Sequence, residues 1–502
     1  MHPTSLPGGH GIGCLGKYAI EWIDFLSEAG FSYWQMCPVG PTGYGDSPYQ
    51  VFSSSAGNPY LIDLDPLVSL GYLSDNELGR MNQHHPSQVN FGMLYQTFYS
   101  VLKVAFHNFI SDSTSLEDKY GRIDSFEQRH RAWLKPFAKY QALKVKNDLK
   151  PWWVWPSEEK NFPNNPLPQS SLEEYEFQVF LQYLFRAQWN EIHRYAKLKK
   201  ISLIGDIPIY VAADSADSWN HRELFQIDKD GHFQAFAGVP PDYFNRDGQL
   251  WGNPLYNWER LESDGYDWWI ARIRDQLELF EVIRIDHFRA FHDFWSIPQN
   301  ATSAKLGTWE KGPGLNFWET IKSEFPSLPF LAEDLGAITQ GVRKLRTSVS
   351  LPGMAVMQFA FDGNPKNLYL PHNLSKDLVL YTGTHDNDTS NGWYNLTDEG
   401  TRSFFRRYLN VNGSSPGWDM IRHAYRSISQ LIIVLGQDLL SLGSEARFNT
   451  PGDAQGNWNW RMTKEQFSNL RTYSTAYLRD QALLADRLPK HIGYKKTTHA
   501  KL

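Results

Sequence analysis

The sequence predicts an α/β fold, a (β/α)8 TIM barrel with helical insertions between its strands. Three observations carry that prediction. Short apolar runs rich in β-branched and aromatic residues recur along the chain, amphipathic helical stretches lie between them, and three of the runs end in a carboxylate. Strand–helix alternation of this kind implies a parallel sheet buried on both faces. Acids delivered to the C-terminal ends of different strands are how such a barrel presents its chemistry.

The strand candidates, in order, are residues 2–6, 33–39, 201–211, 282–286, 330–335, 356–361, 379–384 and 431–440. Most have the length and composition of buried parallel strands. Between them, residues 17–29 place Ala19, Trp22, Ile23, Leu26 and Ala29 on one helical face, and Gly30 stops the helix. Residues 268–279 and 336–348 repeat the pattern. The strand spacing is uneven, which implies insertions. Residues 65–198 read as mainly helical, with helices over 91–106 and 172–197 and a Pro/Trp-rich loop, KPWWVWPSEEKNFPNNPLPQ, between them. Residues 215–270, rich in Gly, Asn and aromatics, read as an insertion covering the active site, and residues 387–427 as a further helical one. Length alone suggests about three domains; the pattern instead predicts one catalytic barrel over residues 1–502.

Composition narrows the function. Lys and Arg total 49 against 55 Asp and Glu, a net charge of −6, so no basic field draws the chain to nucleic acid. No apolar run is long enough to span a membrane. The 15% aromatic content, with 19 Trp, excludes a disordered chain and exceeds what a core alone requires. Cys14 and Cys37 are too few for a disulfide scaffold and read as idle thiols in a reducing compartment. The start, MHPTSLPGGHG, has neither a basic nor an apolar leader region, so a cytoplasmic protein is expected. The polar, basic tail after Arg487 reads as an exposed terminus.

Two local motifs are decoys. Gly11-Ile12-Gly13-Cys14-Leu15-Gly16 matches a dinucleotide-binding fingerprint but lacks the preceding strand and the following acid, so it reads as a turn. Asp228-Lys229-Asp230-Gly231 suggests a calcium loop, yet its twelfth position is Val239 where a glutamate is needed. No zinc motif occurs, and no metal or organic cofactor is expected.

The carboxylates carry the chemistry. Asp286 ends the run before RIDHFR, Glu333 follows PFLA, and Asp386 follows LVLYTGTH. Taken singly, each acid also reads as a helix N-cap or first-turn charge. Together, with His287 and His385 beside two of them, they suit glycosidic bond chemistry. One acid must be protonated to help the leaving oxygen depart, and another ionised to attack or stabilise the anomeric carbon. Arg284 lies two residues before Asp286, on the same strand face, where its charge keeps Asp286 ionised. Crowding among the acids is expected to raise Glu333. The aromatic turns near residues 44–49 and 243–258 fit a track for sugar rings, and also fit ordinary packed turns.

The segments HPTSLPG, GPTGYGDSPYQ, AGNPYLIDL, GDIPIYVAADSAD, WGNP, RIDHFR, AEDLG, TGTHDNDT and LGSEARFNTPG occur in order over nearly the whole chain. They resemble the amylomaltases, or disproportionating enzymes, a family of 4-α-glucanotransferases. The resemblance implies a barrel without a C-terminal β-domain and a retaining double displacement on 1,4-α-glucans. It implies Asp286 as nucleophile, Glu333 as general acid/base and Asp386 as transition-state stabiliser, supported by Arg284 and His385. It places Ser47, Tyr49, Asp206, Asp242, Gln249, Trp251, His287, Asp362 and Asn457 against glucose units, and a flap around Tyr243 and Phe244 over the acceptor side. The family has an apolar stretch before HPTSL. Here Met1 directly precedes His2, so the first strand is expected to be short. Phe448 replaces a usual Met. Expected partners are maltooligosaccharides and α-glucans, with neither nucleic acid nor membrane, for a monomer or homodimer. An α-amylase-type hydrolase uses the same carboxylates, and sequence alone does not set the ratio of transfer to hydrolysis.

Overall fold

The computed structural model describes residues 1–492 except 9, 44, 82–84, 162, 242–245 and 454. Its parallel strands are β1 (Tyr33–Gln35), β2 (Ser202–Ile207), β5 (Val282–Ile285), β8 (Phe330–Ala332), β9 (Gly353–Val356), β10 (Leu378–Tyr381) and β11 (Leu431–Ile433). They form two sheets, β1-β2-β5-β8 and β9-β10-β11. Beyond these, the Ala332 amide donates to the Pro352 carbonyl at 2.8 Å, linking β8 to the residue before β9. The strands are short and mostly buried and apolar, as parallel strands covered on both sides require, with Asp206 on β2 and Arg284 on β5 as buried charged exceptions. Gly205 in β2 is a matter of clearance. A Cβ there would sit 2.3 Å from the Phe280 ring, so only glycine lets the strand carry Asp206 past that side chain.

Two expected strands differ. Residues 2–6 form a 3-10 turn over Pro3–Ser5, because Pro3 offers no amide to a ladder and the Leu6 amide closes back on the Pro3 carbonyl at 3.0 Å. The expected run 356–361 is displaced: the strand ends at Val356, and Met357–Phe359 turns as a 3-10 helix. The structure also adds a four-stranded antiparallel sheet, β4-β3-β6-β7. Its strands are β3 (Ala235–Val239), β4 (Gln249–Pro254), β6 (Asp293–Pro298) and β7 (Thr308–Lys311).

The helices Lys17–Glu28, Phe91–Ser111, Leu172–Leu198, Asp267–Leu277 and Gln340–Ser348 lie close to their expected positions. A long helix, Ile123–Lys146, fills the region between the two expected in residues 65–198 and packs against Leu172–Leu198. Most of the tryptophan excess goes into packing. Trp152, Trp189, Trp219, Trp269 and Trp318 are fully buried, and truncating such a side chain costs about 3–5 kcal/mol. Trp258 stacks on Trp269 and Tyr256 is buried beside both, so this part of the expected sugar track is core. Cys14 and Cys37 are free and buried. Among the described residues, no helix is long and apolar enough to cross a membrane. The end of the basic tail, from residue 493, lies outside the described residues.

Candidate active site

One large cleft, about 1160 Å³, opens over the C-terminal ends of the parallel strands. Asp286, Glu333 and Asp386 all line it, with Arg284, His287 and His385. Sheet hydrogen bonding sets two of the acids. The Asp286 amide donates to the Ile207 carbonyl (3.0 Å) and the Glu333 amide to the Ile285 carbonyl (2.9 Å), each one step beyond its strand. Asp206 and Arg284 are register partners on β2 and β5. Arg284 Nη1 lies 2.6 Å from Asp206 Oδ2 and 3.0 Å from Asp286 Oδ1, so one buried guanidinium ties the two carboxylates together. Tyr49 Oη donates to Asp206 Oδ2 at 2.8 Å, and its ring stacks on His385 at 4.9 Å.

Glu333 is held differently. Its carboxylate accepts backbone amides from His287 (2.8 Å) and Leu335 (2.9 Å). The first of these depends on His287 sitting in the left-handed region, φ 46° and ψ 51°. A non-glycine residue there is strained by about 1–3 kcal/mol, and such strain concentrates at functional sites. Burial is the largest influence on Glu333 and pushes it up to about 7; Asp286 pushes the same way, while Arg284 and the two amides oppose them. The expected rise is therefore present, but burial more than crowding produces it. Burial also pushes Asp206 up, against the pull of Arg284. The imidazoles go the other way. Burial lowers His287 to about 4 and lowers His385 as well, so both rings are neutral near pH 7 and can donate or accept at sugar hydroxyls.

Asp386 sits on the loop after β10. Asn449 Nδ2 donates to its Oδ1 at 2.6 Å, His385 Nε2 is 3.3 Å from the same oxygen, and Arg447 Nη2 donates to its carbonyl at 2.7 Å. Buried Asp438 brackets this loop. It accepts from Thr382 Oγ1 (2.8 Å) on one side and from Ser390 N (2.7 Å) and Oγ (2.7 Å) on the other. Asp438→Ala leaves these donors unpaired inside the protein. We expect it to destabilise the fold by roughly 2–4 kcal/mol, read as a lower urea midpoint, and to lower kcat by displacing Asp386. An unchanged midpoint would show that the loop does not depend on Asp438.

Of the other expected contacts, Ser47, Tyr49, Gln249, Trp251 and Asn457 line the cleft. Trp251 meets the His287 ring edge-on at 5.0 Å and donates Nε1 to Gln249 Oε1 at 3.1 Å. Asn457 is occupied by its own loop, accepting from Thr450 N (2.9 Å) and donating to the Asp453 carbonyl (2.8 Å). Asp206 lines a smaller cavity beneath the cleft, beside Arg284. Asp362 is exposed, accepts the Asn364 amide at 2.9 Å, and is not among the residues that line the cleft. Asp242, Tyr243 and Phe244 lie outside the described residues. Sequence reasoning did not single out Arg289, Trp309, Arg447, Asn449 and Trp458, which also line the cleft. Arg447 and Asn449 sit inside the quoted LGSEARFNTPG segment, and Arg289 closes RIDHFR. Two groups of donors with metal-like spacing, His10–Asp63–Asp65 and Asp228–Asp230–His232, lie away from the cleft lining.

This site can be set against known proteins. The model of the family described as 4-alpha-glucanotransferase matches residues 1–467. A 4-alpha-glucanotransferase of Thermus thermophilus is 44% identical over 479 residues, 93% of this chain and 95% of that protein. The chloroplastic/amyloplastic 4-alpha-glucanotransferase of Arabidopsis thaliana is 39% identical and covers 97% of this chain, with 85% of its own length matched. The solved structure of amylomaltase from Streptococcus agalactiae in complex with acarbose superposes with a TM-score of 0.92 at 36% identity, covering 97% of this chain and 99% of that one. A match over most of the chain in sequence and fold, with the acids gathered in one cleft, leads to one conclusion: the chain belongs to the 4-alpha-glucanotransferase, or amylomaltase, family and carries its glucan-transfer activity.

Proposed function

We propose that this cleft transfers a segment of a 1,4-α-glucan to the 4-hydroxyl of glucose or of another glucan by a retaining double displacement. The observation that carries the reading is the pairing of a buried carboxyl raised to about 7, Glu333, with a neighbouring carboxylate held by Arg284, Asp286. These are the two states the chemistry needs. Asp286 attacks the anomeric carbon while Glu333 gives its proton to the departing glycosidic oxygen, leaving a covalent glucanyl-enzyme. Glu333 then takes the proton from an incoming 4-hydroxyl, and that oxygen displaces Asp286. Asp386, fixed by Asn449 and His385, stabilises the charge that develops on the sugar ring. Tyr49, Trp251 and the neutral histidines orient glucose rings by stacking and hydrogen bonding.

In the same reading, the two parallel sheets are arcs of one (β/α)8 barrel. The Ala332–Pro352 bond and a hydrogen bond from Tyr381 Oη on β10 to Gln35 Oε1 on β1 (2.9 Å) support that closure. The chain is then one catalytic unit, with insertions at 65–198, 215–270 and 387–427.

The test is the product pattern from maltotriose. Transfer yields glucose with a ladder of longer glucans and almost no gain in reducing ends, because each broken bond is replaced. An α-amylase-type hydrolase yields glucose and maltose, with one new reducing end per cleavage. The latter pattern from wild type, absent from an Asp286→Ala control, would overturn the transfer reading for this cleft.

A further inference from the structure

We propose that Trp309 is a sugar-stacking platform on the acceptor side of the cleft, engaging the second or a later glucose unit of an acceptor glucan. The inference rests on the transfer reading above and extends it to a residue with no role there. Trp309 lies on β7, the edge strand of the antiparallel sheet, and lines the same cleft as Asp286 and Glu333. It is 42% exposed, unusual for a tryptophan beside so many buried ones.

The ring is also held. The Arg289 guanidinium lies 3.8 Å from its centroid, stacked on one face. Trp295, its register partner on β6, meets it at 5.1 Å and 65°, and Trp295 is itself fixed by a 2.8 Å bond from Nε1 to the Ala304 carbonyl. Arg289 is in turn anchored by Asp293 Oδ1 at 2.9 Å and by the Ala337 carbonyl. With a cation on one face and a second indole against it, Trp309 has its remaining surface toward the cleft. An exposed, immobilised aromatic of this kind loses little entropy when a sugar ring stacks on it.

Position assigns it to the acceptor side. Arg289 joins Trp309 to Ala337, in the loop that follows Glu333 and also lines the cleft. The acid/base acts at the oxygen between donor and acceptor units, so the wall built around its loop borders the acceptor. Trp309 also shares its sheet with Gln249 and Trp251 on β4. Trp251 packs on His287, next to Asp286, so a single glucose beside the acids is served by β4, and Trp309, at the opposite edge of the sheet, is left for a longer acceptor.

The experiment separates donor from acceptor. With α-maltosyl fluoride as donor, the first step places no sugar on the acceptor side, because the leaving group is fluoride. Glucose and maltotetraose are then compared as acceptors for wild type, Trp309→Ala, Trp309→Leu and Trp309→Phe. In the Ala and Leu variants the apparent KM for maltotetraose is expected to rise about 3–10-fold, the scale of a lost aromatic stack. The KM values for glucose and for the fluoride should stay within about twofold of wild type, and the Phe variant should recover most of the loss. A structural role would move glucose and maltotetraose alike. That outcome, or a rise confined to the donor, or no change, would overturn the proposal. Failure of every variant and of wild type to transfer from the fluoride would instead overturn the transfer reading.

Discussion

Glu333→Gln lowers kcat for maltotriose disproportionation by about 10²–10⁴-fold, the usual contribution of a positioned general acid, and abolishes the alkaline limb of the pH profile. The sign follows from the site. The first step needs Glu333 protonated, and burial raises its carboxyl to about 7. The active form therefore dominates below that pH and is lost as pH rises through it. Glutamine preserves the shape and can keep one of the two backbone amides, that of His287 or that of Leu335, through its single oxygen, but it cannot give or take a proton. Its residual rate should be flat where wild type declines. The measurement is kcat/KM for both proteins between about pH 5 and pH 9. Asp206 is the competing source of such a limb, because burial raises it as well. If the limb persists in Glu333→Gln, the titrating group is not Glu333; if the rate stays within about tenfold of wild type, Glu333 is not the acid.

How far the site could be read in the sequence depends on the range of the physics involved. Asp286, Glu333 and Asp386 were visible because each ends a local apolar run, and a strand's last residues are set by its own composition. The Arg284–Asp286 pair was visible for a similar reason, since alternation along a strand puts residues two apart on one face. The bond from Arg284 to Asp206 was not readable from spacing, because it rests on the register between β2 and β5, strands 78 positions apart at that pair. The cause of the Glu333 shift is likewise not readable from spacing, since burial is a property of packing that no local motif encodes. The antiparallel sheet went unseen because β3 and β4 are short, contain Gly238 and Gly252, and read as turns. The expected strand at 2–6 failed for a nearer reason: Pro3 cannot donate to a ladder, and that could have been read directly. Trp309 and Arg289 were hidden because cation–π stacking brings together residues from different elements. The excess of tryptophan pointed to sugar binding, yet most of it proves to be core.

Asp286→Asn reduces turnover by more than about 10⁴-fold with every donor, since removing a nucleophile leaves no covalent route. Its loss should be chemical rather than structural. Arg284 keeps Asp206 as a partner at 2.6 Å, so the substitution leaves no buried charge unpaired, and the melting temperature should stay near that of wild type. The contrast with Glu333→Gln isolates the mechanism. Fluoride needs little acid assistance to leave, so Glu333→Gln should still react with α-maltosyl fluoride in the first step. It then stalls without a base to activate the acceptor, and a maltosyl adduct accumulates on the protein. Mass spectrometry of the digested protein should place that adduct on the peptide holding Asp286. Adding azide, which attacks without surrendering a proton, should release it as an α-maltosyl azide, because two inversions return the original configuration. Asp286→Asn should form no adduct and gain nothing from azide. An adduct on another carboxylate would move the nucleophile elsewhere in the cleft. A β-azide, the product of a single inversion, would replace the double displacement with direct attack on the donor.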